Sequence, residues 1–150
     1  MKQTTFLMIL VIALTLLSCK DNSTNPSSNN FISATISGEF NMSYYSNKVT
    51  LTKKSIGFRL ASATDGNLNT LSVSIDDTIP GTYPTQLDDY GRIVNFQDHT
   101  NDNPYFSGSG EIVITQNDAK VIKGTFACLA FNVRDHGMVN ITNGKFEFYK

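Results

Sequence analysis

Aspartates are the residues whose type and spacing come closest to a chemical site in this sequence. Asp88 and Asp89 are adjacent, and Asp98 and Asp102 flank a short polar segment. Calcium needs several oxygen ligands of this kind, and paired carboxylates can also hydrolyse glycosidic bonds. The segment from Asp98 lacks the glycine and glutamate of a calcium loop, and neighbouring strand residues point to opposite faces. These four aspartates are therefore weak metal candidates beside the alternative of solvated turns, and we predict no metal and no cofactor.

The cysteines and histidines form no recognisable catalytic pattern. Cys128 lies in an apolar run without a basic neighbour, which is typical of a buried thiol rather than a nucleophile. His99 and His136 stand in polar segments, and neither has a partner at metal-ligand spacing. The sequence also contains no nucleophile elbow, phosphate loop or dinucleotide fingerprint. We therefore predict that the chain has no catalytic residues and is not an enzyme.

Three tyrosines are the candidate ligand-binding residues. Tyr83, Tyr90 and Tyr105 lie near predicted turns, and a tyrosine combines a flat apolar ring with a hydrogen-bonding tip. The alternative role for each is packing over the ends of strands. The absence of tryptophan weakens an interpretation based on stacking against sugars.

The segments that position these residues have the pattern of β-strands. The chain has 150 residues, of which 40% are hydrophobic, and its formal net charge is -1. This apolar fraction is too high for a disordered protein, and the charge gives no basic excess for nucleic acid. From residue 31 onward polar and apolar side chains alternate, as in Leu71, Val73 and Ile75, which is the period of half-buried strands.

Turn residues separate these alternating segments. Asp65-Gly66 predicts a hairpin, and Asn143-Gly144 predicts a turn or a bulge. The segment Val121 to Val133 is apolar on both parities, so we expect it to be packed centrally. Residues 31–150 are thus predicted to form one all-β domain of about eight or nine strands. It is either an antiparallel β-sandwich or an up-and-down β-barrel, and periodicity does not choose between them.

The first eighteen residues have the zones of an export signal. Lys2 precedes an apolar core from Phe6 to Leu17, which is too short to span a bilayer as a helix. The segment then ends in Leu-Leu-Ser-Cys at residues 16–19, which resembles the bacterial lipobox. The resemblance implies a signal peptide over residues 1–18 and diacylglycerol attached to Cys19. An ordinary secretory signal followed by an incidental cysteine is the alternative.

Residues 19–30 are predicted to tether the domain to this anchor. The run KDNSTNPSSNN has no apolar side chain apart from Pro26, so it cannot bury enough surface to offset ordering entropy. Its expected reach is roughly 15–20 Å. Lys20 directly after the lipidated position resembles an outer-membrane sorting signal, and Lys20-Asp21 resembles the start of the surface-export signal of Bacteroidetes lipoproteins. Soluble tether residues are the alternative for both, and the membrane face stays open.

The body of the chain resembles uncharacterised all-β lipoprotein domains of Bacteroidetes. The resemblance covers residues 31–150 and implies the fold and the cellular address without an active site. Asp77-Thr78-Ile79 also resembles the O-glycosylation site of proteins exported by these bacteria, which makes Thr78 a candidate for glycosylation. The matching motifs are Ser33-Ala34, Ser37-Gly38, Pro80 to Tyr83, Gly110 to Thr115, Lys123 to Phe126 and Ile141 to Phe146.

Two functions are consistent with these features. The first is a non-enzymatic module, anchored in the cell envelope by lipid, that binds an envelope protein or a glycan and not nucleic acid. The second is a carrier of a small ligand, or a weak glycan hydrolase, that uses a barrel cavity or an acidic loop cluster. A polar-lined cavity favours the second function, and a dry core favours the first.

Overall fold

The computed structural model describes residues 30–53, 58–76, 79–86, 92–100 and 103–150. Within these residues the chain forms ten β-strands and no helix, so no helix there is long and apolar enough to cross a membrane. The all-β prediction is confirmed. The strands are β1 Phe31–Gly38, β2 Met42–Ser46, β3 Val49–Lys53, β4 Phe58–Thr64, β5 Thr70–Asp76, β6 Gly81–Gln86, β7 Val94–Asp98, β8 Asn103–Asn117, β9 Val121–Asn132 and β10 Met138–Tyr149.

The strands form one antiparallel sheet that curls into a nearly closed barrel. Their order is β2-β1-β10-β9-β8-β7-β5-β4-β3, and β6 pairs separately with β8. The hairpin predicted at Asp65-Gly66 joins β4 to β5, and the Asn143-Gly144 signal is a bulge inside β10. The sequence left sandwich and barrel open, and the structure selects the barrel because the strands form a single sheet whose two outermost strands, β2 and β3, are consecutive in the chain.

The barrel is closed by a single bent segment of chain. Because each strand on the path is antiparallel to its neighbours, the two outermost strands, β2 and β3, run in the same direction. Only two residues separate them, so Met42 to Lys53 acts as one bent strand. Its first half pairs with β1 and its second half pairs with β4.

Two side chains bridge this bend where the backbone ladder is interrupted. The Ser46 hydroxyl donates to the carbonyl of Thr64 at 2.7 Å and accepts from the amide of Lys48 at 3.1 Å. The buried Tyr44 hydroxyl donates to the carbonyl of Ala63 and accepts from the amide of Leu71 at 3.3 Å. These bonds tie β2 to β4 and β5.

We expect Tyr44→Phe to lower the free energy of unfolding by about 1–3 kcal/mol, because hydrogen bonds to buried backbone groups are lost. Urea denaturation measures the change. Tyr45→Phe is the matched control, since Tyr45 is 61% exposed, and it should change stability by less than about 0.5 kcal/mol. Equal effects of the two substitutions would contradict a bridging role for Tyr44.

The inward faces of the described strands form an apolar core. Phe146 stacks on Phe148 with ring centroids 5.2 Å apart and on Phe126 at 6.4 Å. The central packing expected for Val121 to Val133 is correct for one face only. Strand β9 lies between β8 and β10, and one of its faces is buried in the core, but side chains of the other parity, such as Leu129, are exposed. The largest fully buried side chains are Tyr44, Phe96, Phe146, Phe148, Ile32, Ile36, Leu71, Ile112, Ile114, Ile122, Ile141 and Val73.

Strand β8 changes its partner half-way along its length. One of its edges pairs with β9, while the other pairs first with β7, up to Phe106, and then with β6, from Ser109. Its register with β9 shifts between Ser107 and Ser109. Gly110 follows with a φ of 156°, a conformation that side chains rarely adopt. This glycine therefore lies directly after the change of partner, where β8 already pairs with β6.

Candidate functional site

The structure describes three of the residues that the sequence analysis gave as candidates for ligand or metal binding. Tyr83 lies on β6, Tyr105 lies on β8, and Asp98 is the last residue of β7. They stand on three different strands, and no contact joins Tyr83 to Tyr105 among the described rings. Cys19, Thr78, Asp88, Asp89, Tyr90 and Asp102 lie outside the described residues, and so do the predicted signal peptide and residues 19–29.

Tyr105 is a buried residue that holds a loop in place. Its side chain is 2% exposed and meets the ring of Phe40 edge-on, with centroids 5.7 Å apart. Its hydroxyl donates to Glu39 Oε2 at 2.5 Å. Burial, followed by the adjacent carboxylate of Glu39, raises the pKa of Tyr105, so the phenol stays protonated and remains a donor. These contacts fasten the β1–β2 connection to the end of the barrel.

Tyr83 is half-buried, and its contacts are also local. Its hydroxyl donates to the carbonyl of Ile79 at 2.5 Å. The guanidinium carbon of Arg92 lies 5.0 Å from the centre of its ring, which is within the range of a cation–π contact. Tyr83 also packs against the core, so its ring joins β6 to the segment that precedes β7.

The other reactive side chains differ in their burial. Cys128 is buried, and burial raises the pKa of its thiol to about 12, so the thiol stays protonated near neutral pH. His99 and His136 are exposed, and His136 has a φ of 62°. Asp98 is 7% exposed. No group of three metal-ligating side chains occurs within the described part of the chain.

An exposed apolar patch on the outside of the barrel was missed by the sequence analysis. Phe106, Phe131 and Met138 form one row across β8, β9 and β10, because each is directly paired with the next. Leu129, on the outward face of β9, and Val133, in the turn that follows β9, extend this row. Met138 is 57% exposed, Val133 54% and Leu129 37%. We call these five residues the apolar patch.

One ring of the patch packs against the backbone of the neighbouring strand. The ring of Phe131 lies over Gly108, where a Cβ would overlap the ring. The sequence carried a signal for the patch, since Val121 to Val133 is apolar on both parities. One parity is the core, and the other includes Leu129, Phe131 and Val133. Exposed apolar side chains that are contiguous in this way are typical of an interaction surface.

Comparison with known proteins identifies a family whose function is unknown. The model of a domain of unknown function, DUF6252, matches residues 33–149, which is most of the described barrel. No curated protein and no solved structure matches the chain.

Proposed function

This chain belongs to the DUF6252 family, and we propose that it is a lipid-anchored envelope lipoprotein whose barrel binds an envelope protein without catalysis. The lipid is attached to Cys19, and Lys20 favours the outer membrane. The apolar patch is the observation that supports this proposal. It lies at one end of β9 and β10, and the predicted tether enters the barrel at the other end of these strands.

The tether enters the barrel beside the end of β10. Asn30 precedes β1 and is 5% exposed, and its side chain accepts a hydrogen bond from the amide of Tyr149 at 2.7 Å. Met138 begins β10, and at about 3.3 Å per residue it lies roughly 30 Å along the strand from Glu147. A domain anchored through Asn30 can therefore present the apolar patch away from the bilayer.

The composition of the patch favours a protein over a glycan. Its exposed members are aliphatic or thioether side chains, which bury area against another protein but do not stack on a sugar ring. The two phenylalanines are half-buried beneath them and supply a rigid apolar base. The alternative function as a carrier needs an interior cavity, whereas the described inward side chains are mainly apolar and packed together.

The test compares two double variants in capture of detergent-solubilised envelope proteins. Leu129→Asp with Met138→Asp should reduce retention of the captured partner at least about tenfold, because interface energy is concentrated in a few buried contacts. Thr125→Asp with Thr142→Asp is the matched control, since both threonines are exposed on the same two strands. Equal retention by the two double variants, at equal thermal stability, would refute the patch as the binding surface.

A further inference from the structure

A second surface surrounds the start of β1, where the predicted tether ends, and it combines one exposed and one half-buried aromatic ring with lysines. Phe31 opens β1, and its ring stacks on that of Tyr45 with centroids 6.2 Å apart and an angle of 21° between the planes. Tyr45 is 61% exposed. The two rings therefore form a flat projection on the outer face, one residue beyond the predicted tether.

Lysines continue this surface on both sides. Tyr45 and Lys145 lie in one row, because both pair with Ser33 from opposite sides of β1. The exposed Lys120 and Lys150 are joined by a hydrogen bond of 2.9 Å from the Lys150 amide to the Lys120 carbonyl. We call Phe31, Tyr45, Lys120, Lys145 and Lys150 the tether-end surface.

The acidic side chains in this region are engaged in local bonds. Glu147 forms a salt bridge of 3.0 Å with Lys123 and accepts a hydrogen bond from the Tyr149 hydroxyl at 2.6 Å. Asp118 accepts from the side-chain amide of Gln116 at 2.5 Å and from the backbone amides of the turn after it. Among the described residues of this region, the three lysines of the tether-end surface thus outnumber these two acids, although the whole chain has a net charge of -1.

We infer that the tether-end surface rests on the anionic lipid headgroups of the bilayer that holds the anchor. The inference rests on the proposed lipid anchor. Aromatic rings are enriched at the membrane–water interface, and each lysine near an anionic bilayer adds to the attraction. A tether with a reach of roughly 15–20 Å gives this surface a high effective concentration at the bilayer, so a weak contact is sufficient.

The contact has a consequence for the proposed binding function. Docking through Phe31 and Tyr45 turns the start of β1 toward the lipid. Met138, at the start of β10, and Val133, directly after the end of β9, are then turned away from it. The two surfaces would hold the barrel in one orientation, with the apolar patch open to a partner.

Tryptophan fluorescence tests the contact, because the natural sequence contains no tryptophan. The lipidated protein carrying Tyr45→Trp is reconstituted into phosphatidylcholine vesicles with phosphatidylglycerol and brominated acyl chains. We expect blue-shifted emission that the bromines quench. Val133→Trp is the control at the opposite ends of the strands and should show neither effect. Unquenched emission from Tyr45→Trp, or equal quenching in both variants, would overturn the inference.

A charge variant tests the contribution of the lysines in the same vesicles. Lys120→Glu with Lys145→Glu should lower the docking equilibrium at least about tenfold, since each lysine contributes separately near an anionic surface. Arg134→Glu, an exposed change at the opposite ends of the strands, should leave docking unchanged. Both charge variants carry Tyr45→Trp as the probe, because the natural sequence has no tryptophan. Equal quenching of the lysine variant and of Tyr45→Trp alone would overturn the role of the lysines.

Flotation of the vesicles separates this inference from the anchor. Protein that floats with the vesicles but shows no quenching retains its lipid, so only the docked orientation fails. Protein that does not float has no anchor, and the proposed function and the docked orientation then fail together.

Discussion

Replacement of Cys19 by alanine is expected to abolish incorporation of a labelled fatty acid into the protein completely. Cys19 is the cysteine of the predicted lipobox, and the acyl chains on its thiol are the proposed membrane attachment. Each buried methylene contributes about 0.8 kcal/mol, so two or three long chains hold a protein far more firmly than one marginal chain. The measurement is metabolic labelling in growing cells, followed by the intact mass of the purified chain.

Cys128→Ala is the matched control for this experiment. Cys128 is the only other cysteine, and it is buried in the barrel, so its removal should leave the fatty-acid label unchanged. Wild-type protein that is exported without label and recovered freely dissolved would contradict the anchor. Label that persists in Cys19→Ala would place the lipid elsewhere on the chain.

Replacement of Gly110 by alanine is expected to lower the free energy of unfolding by about 3–5 kcal/mol. A Cβ at this position would overlap the carbonyl oxygen of Ala127 and the Cα of Cys128 on the neighbouring strand. The backbone also has a φ of 156°, which is strained for any residue with a side chain. The alanine variant is therefore destabilised in two ways: the added methyl group overlaps backbone atoms, and the backbone conformation is strained. Thermal denaturation should show a midpoint lowered by about 10–20 °C.

Gly66→Ala provides the comparison for this change. Nothing lies within 4 Å of a Cβ built on Gly66, which is in the turn between β4 and β5. Alanine there should change stability by less than about 1 kcal/mol, because it meets no neighbour and reduces the freedom of the unfolded chain. Similar denaturation midpoints for the two alanine variants would refute the requirement for glycine where β8 changes its partner.

Tyr105 shows why the candidate binding residues were difficult to place from the sequence. Its neighbours Asn103 and Pro104 indicate a loop, and a tyrosine in a loop is a reasonable binding residue. In the barrel, β8 begins at Asn103, and Tyr105 has the same inward parity as Ser107. Glu39, which accepts the hydrogen bond from its hydroxyl, is 66 residues away in the chain. Sequence periodicity does not report a partner at that separation.

The sequence by itself determined the class of fold and most of its turns. The alternation in Leu71, Val73 and Ile75 and the turn chemistry of Asp65-Gly66 are local properties, because they depend on the direction of successive side chains and on backbone conformation. The lipobox at Cys19 is likewise a short linear motif, and it stays a prediction.

Only the tertiary structure decided that the sheet curls into a barrel and which surfaces stay open. Closure depends on the bend between β2 and β3, whose two halves pair with β1 and with β4 at the two ends of the sheet. The sheet also needs β1 to pair with β10, which brings distant parts of the chain together. The sequence showed that the segment of β9 is apolar on both faces. It did not show that Leu129 and Val133 are exposed. Periodicity reports that the two faces of a strand differ, whereas the pairing and packing of other strands decide what covers each face.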